Sequence, residues 1–85
     1  MSWNYRVCYR PSIPGGGHQI HEVYYDVKGR VSMYTSRPIT AFGDDNDELY
    51  ESMALMWKAF DKEPLDLDRV DRKLKIQASM QDPDE

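Results

Sequence analysis

The chain has 85 residues and a formal net charge of -4, with 40% hydrophobic and 31% charged residues, the make-up of one soluble globular domain. No apolar run nears the ~18 residues of a spanning helix. The opening MSWNYRVCYR holds no apolar core of the secretory type, so a cytoplasmic protein is expected.

The front half reads as strands. Trp3, Tyr5, Val7 and Tyr9 alternate with Asn4, Arg6, Cys8 and Arg10, a period of two that sets four large apolar side chains on one face. Pro11 and Pro14 break that ladder, and Gly15, Gly16 and Gly17 make a loose turn. A second strand is expected over 19–26. Ile20 and Tyr24 share one face and Val23 and Tyr25 the other, which suits a central strand. Asp26-Val27-Lys28-Gly29 is a hairpin turn, with Asp at its start and Gly for a positive φ. The return strand is expected over 30–36, with Val31, Met33 and Thr35 facing away from Ser32 and Tyr34, and Pro38 ends it.

After Phe42-Gly43 the period changes. Asp45 caps a helix and Glu48, three residues on, completes a capping-box pattern. Leu49, Met53, Met56, Trp57 and Phe60 then form one apolar stripe at helical spacing. Pro64 stops the helix near Lys62. Leu65 and Leu67 alternate as in a short strand. Leu67, Val70 and Leu74 also fit an amphipathic helix capped by Asp66, which is the preferred reading, over 68–78. The expected fold is α+β: a three-stranded antiparallel sheet, an amphipathic helix packed on one face, and a short C-terminal helix. Residues 1–80 form a single domain and 81–85 a disordered tail.

Charge divides with structure. Residues 1–43 sum to +3 and residues 44–85 to -7. The strands hold six of the ten aromatic residues, interleaved with Arg6, Arg10, Arg30 and Arg37. Such a sheet can stack nucleic-acid bases. The acidic balance, with a pI near 5.1, speaks against it, and nucleic acid is not a favoured partner.

Chemistry-bearing residues are few. Cys8 is the only cysteine, which excludes an internal disulfide framework. His18 and His21 are spaced H-x-x-H, but on a strand their rings point to opposite faces. With Cys8 and Glu22 they do not reach the ligand spacing of a zinc site. Cys8 and His21 on neighbouring strands are the one pair that a small thiol enzyme would use, without a recognisable third group. Gly15-Gly16-Gly17 lacks the Lys-Ser/Thr of a phosphate loop, and the acids at 44–48 lack the calcium-loop pattern. The expectation is therefore no catalytic residue, no metal, no cofactor and no identifiable small-molecule ligand.

One helix, roughly 25 Å long, covers one face of a three-stranded sheet. The second face then stays partly bare, and bare aromatic surface means a partner. A homodimer, or another protein partner, is expected, with Val23, Tyr24, Tyr25 and Tyr34 as interface residues.

The segments Trp3–Val7, Ile20–Asp26 and Thr35–Gly43, followed by Glu48-Leu49, resemble a family of small uncharacterised bacterial proteins. That family has an IHEVYYD strand, a hairpin and an FG turn before one helix. The resemblance spans residues 3–67 and implies bacterial origin and fold, but no activity. More loosely, the order strand, strand, strand, then a Gly-acidic turn into a helix resembles HicB-type antitoxins. These block a small RNA-cleaving toxin and often carry a DNA-binding module. Residues 65–85 are too short for a helix-turn-helix and supply no clear fourth strand. Function is thus read as a small non-enzymatic protein-interaction or regulatory module. The alternatives are an antitoxin-like regulator and a small metal or thiol enzyme using Cys8 and His21.

Overall fold

Alternating large and polar residues make β1, Ser2–Tyr9, a strand with two distinct faces. It pairs antiparallel with β2, His18–Tyr25, which pairs antiparallel with β3, Val31–Tyr34. The structure, a computed structural model, describes the backbone of residues 2–81, with side chains as far as Lys75. Helix α1, Asn46–Trp57, runs into a 3-10 turn, Lys58–Asp61. A two-residue strand β4, Leu65–Asp66, leads directly into helix α2, Leu67–Gln81. The sheet order is β3-β2-β1-β4, with β4 parallel to β1 at Cys8 and Tyr9. The fold is therefore α+β, with a mixed four-stranded sheet rather than the expected three antiparallel strands. The segment from Leu65 fits both a short strand and a helix, and the expectation kept the helix alone; the structure has both, a two-residue strand and then the helix. The pairing that defines the strand joins positions 57 apart in sequence. The expected tail lies outside the described residues, apart from the backbone of Gln81.

The hairpin between β2 and β3 is closed as its sequence requires. The amide of Gly29 donates to the Asp26 carbonyl at 2.9 Å, and Gly29 has φ 81°. The Asp26 carboxylate accepts from the amides of Lys28 and Arg30. These bonds hold the carboxyl below the usual range, the Arg30 amide first among them. One feature departs from simple alternation. A bulge between Tyr24 and Tyr25 pairs Tyr24 with Met33 but Tyr25 with Val31. Val31 and Met33 therefore fall on different faces, not on the same one as their spacing suggests. Val31 packs against the core, and Met33 is exposed.

The two sheet faces are covered differently. Cys8, Val23 and Leu67 form a buried cluster, flanked by Tyr25, Val31, Tyr34 and Leu65. Leu67 and Val70 bring α2 onto this face, in the stripe and behind the Asp66 cap expected for it. Both side chains are buried, and the Asp66 carboxylate accepts from the Arg69 amide at 3.1 Å. On the other face lie Trp3, Tyr5, Val7, Tyr24 and Ile20. Here the 3-10 turn, with buried Ala59, packs against β1, and Val7 is buried. Trp3 meets Tyr5 edge-on at 5.3 Å and remains half exposed.

The start of α1 is built by its acids. Asp45 Oδ1 accepts from the Glu48 amide at 2.9 Å. The Glu48 carboxylate reaches back to the amide of Asp44 at 3.0 Å, one residue before the cap. Gly43 is required by close approach. A Cβ there would sit 2.2 Å from the Leu49 nitrogen and 2.6 Å from the Glu48 carbonyl carbon.

Candidate interaction surface

The residues with chemical potential are brought only partly together. His18 stacks on Tyr9 at 4.9 Å on one face of the sheet. His21 lies buried on the opposite face, so the two imidazoles diverge. His21 Nδ1 donates to the Thr35 carbonyl at 2.9 Å, which fixes the proton on Nδ1. The Glu22 carboxylate accepts from the Tyr24 hydroxyl. Cys8 is 1% exposed, and its Sγ donates to the Arg6 carbonyl. Burial pushes its thiol pKa up to about 11, so it is protonated at neutral pH and unactivated as a nucleophile. Among the described residues no group of three or more His, Cys, Asp or Glu is placed to hold a metal ion.

A polar hub on the α2 face had no local signal in the sequence. Arg10 Nη1 donates to Asp68 at 2.9 Å and to Asp71 at 2.8 Å, and its Nη2 donates to the Tyr34 hydroxyl at 2.8 Å. Tyr34 donates in turn to Asp71 at 2.6 Å. Ser12 donates to Asp68 from both its amide and its hydroxyl. Burial alone would raise both carboxyls. For Asp71 the bonds from Tyr34 and Arg10 outweigh it, and for Asp68 those from Ser12 and Arg10 do, so both sit below the ordinary carboxylate value. The hub ties the segment that follows β1, and strand β3, to α2. Its members satisfy one another, which marks it as a clamp.

A cleft of about 540 Å³ opens beside β4, with Arg6, Arg30, Arg69 and Lys73 on its rim. Its cations are partly committed. Arg6 donates to the Glu63 carbonyl and the Tyr25 hydroxyl, and Arg30 pairs with Asp26. Glu63 and Asp66 line the same cleft and offset its charge.

The expected interface residues separate. Val23 is 0% exposed and offers no surface. Tyr25 and Tyr34 lie on the face that α2 covers, and Tyr24 lies on the other. The α2 face is thus occupied within the chain. The large exposed apolar surface is on α1 instead. At 100° per residue, Ser52, Met56 and Ala59 form the side of the helix and its 3-10 extension that is half-buried or buried. The apolar stripe looks outward. Tyr50 is 76% exposed, Trp57 66% and Phe60 61%, with Leu49 and Met53 also exposed beside them. No residue of α1 itself is buried. The expected packing of this stripe on the sheet is therefore corrected: of its residues only Met56 turns inward, beside Ser52 and Ala59, while Leu49, Met53, Trp57 and Phe60 are exposed. Trp57 and Phe60 hold each other, with ring centroids 5.4 Å apart.

Comparison of the chain with family models, with curated proteins and with solved structures found no match.

Proposed function

We propose that this protein is a small non-enzymatic module that works by protein–protein contact, with the outward stripe of α1 as its docking face. The observation that carries the reading is a helix whose Tyr50, Trp57 and Phe60 all face water. Tyrosine and tryptophan in a contiguous patch are the residues that dominate binding energy at interfaces. A membrane surface fits this helix poorly, because its polar flank is acidic through Asp47 and Glu51. A bacterial, cytoplasmic setting goes with the resemblance through Ile20–Asp26 and with a cysteine kept as a free thiol.

A second reading, an antitoxin-like regulator, draws support from β4. It supplies a strand after the helix, which the resemblance to HicB-type proteins asks for. On that reading the partner on the same face is a small RNA-cleaving protein.

The test places a photo-crosslinking residue at the stripe, Trp57→p-benzoylphenylalanine, in cells of the protein's own source. The exposed hairpin position Val27 serves as control. Discrete adducts from position 57 and none from 27 are expected. An absence of adducts at 57 contradicts the docking face.

A further inference from the structure

We propose that the occupant of the docking face is a second copy of this chain, its α1 laid antiparallel on the first across a two-fold axis near Met53 and Ala54. The inference rests on the reading of α1 as a docking face and adds the partner and its register.

An ordinary interface buries ~800 Å² on each partner, and the exposed side of α1 with its 3-10 extension supplies apolar surface on that scale. Tyr50, Trp57 and Phe60 alone leave roughly 400 Å² of ring surface bare, at about 200 Å² per aromatic side chain.

Charge decides who the partner is and how it lies. From Asp44 to Glu51 the segment carries Asp44, Asp45, Asp47, Glu48 and Glu51 and no base. From Ala54 to Lys62 it carries Lys58 and Lys62 against Asp61. A parallel pairing would stack the acidic end on itself. An antiparallel pairing sets each acidic end beside the basic end of the other chain and opposes the helix dipoles. Glu51 and Lys58 share one flank of the stripe, about 20° apart around the axis at 100° per residue. With the axis near Ala54, Lys58 of one chain comes beside the partner's Glu51. The same rotation brings Trp57 within a turn of the partner's Tyr50. One patch then meets itself with acid beside base at both symmetry-related contacts, as a closed two-fold contact allows.

Sedimentation equilibrium on the full chain, from micromolar to near-millimolar concentration, gives the first readout. The mass should rise from 10.0 kDa towards twice that value. Lys58→Glu and Glu51→Lys lie at exposed positions and should leave the helical signal in circular dichroism unchanged. Each places like charges in both symmetry-related contacts, so each should weaken self-association by about tenfold or more. An equimolar mixture of the two variants should regain the dimer, because only then does acid meet base at both contacts. A wild-type chain that stays monomeric throughout overturns the inference. So does a wild-type dimer whose charge variants fail to rescue each other on mixing. A monomeric chain that still forms crosslinks from position 57 to a different protein overturns the second copy but leaves the docking face standing. A monomer without such crosslinks overturns both.

Discussion

The two helices of this protein carry similar apolar stripes and use them in opposite ways. In α2, Leu67 and Val70 are both buried, Leu67 beside Cys8 and Val23. In α1, Leu49, Met53, Trp57 and the following Phe60 point to water, while Ser52, Met56 and Ala59 turn inward. The difference lies in what anchors each helix. α2 is clamped along its first turns by the hub of Arg10, Asp68, Asp71 and Tyr34. α1 is held at its ends. At its start Gly43 sits tight against its first turn, and one bond from the Phe42 amide reaches Ser52 midway. At its end the 3-10 turn packs on β1. An amphipathic pattern therefore says that a helix has a sticky side. It does not say that the sticky side faces its own chain.

The comparison is sharpened most by matched truncations, measured by denaturant unfolding at low protein concentration. Leu67→Ala empties part of the buried cluster and should cost about 2–5 kcal/mol. Phe60→Ala removes a larger side chain from the outward stripe and should change monomer stability by no more than about 0.5 kcal/mol. Similar losses for the two would break the contrast between a buried and a bare stripe. Gly43→Ala probes how α1 is seated. Its new methyl meets backbone of the first turn, so it should cost about 1–3 kcal/mol and shift the start of α1.

A smaller effect separates the helices by pH. Asp68 and Asp71 are held below the ordinary carboxylate value in the folded chain. Their contribution is therefore present above the unfolded value of about 4 and is lost as pH falls through the lower folded values. Amide exchange should show α2 opening first on acidification below about pH 4, ahead of the β1–β2 ladder. Simultaneous loss of both would mean the hub is no clamp.

Much of this architecture could be read from local pattern. The alternation of Trp3 through Tyr9, the Asp26–Gly29 turn, the Asp45 cap and the helical spacing from Leu49 each act within a few residues, and each appears in the fold. What local pattern could not supply depended on distant contacts. β4 exists only through its pairing with Cys8 and Tyr9. The bulge at Tyr24 and Tyr25 sends Val31 and Met33 to different faces against their spacing. The Arg10 hub joins residues about 60 positions apart, with nothing in any one segment to announce it. The candidate surface was legible only in half. The excess of aromatic surface was visible in composition. Its place was not, because the side of α1 that turns inward holds Ser52 and Ala59 with only Met56 of the apolar stripe.

The outward stripe is tested most directly by the fluorescence of Trp57 in a chain carrying Trp3→Phe, followed from high dilution to high concentration. The emission should be red-shifted, as for a water-exposed indole, at high dilution and should move to the blue as chains associate. An emission already blue-shifted at the lowest concentration and unchanged above it would show Trp57 buried within its own chain, and would contradict the account.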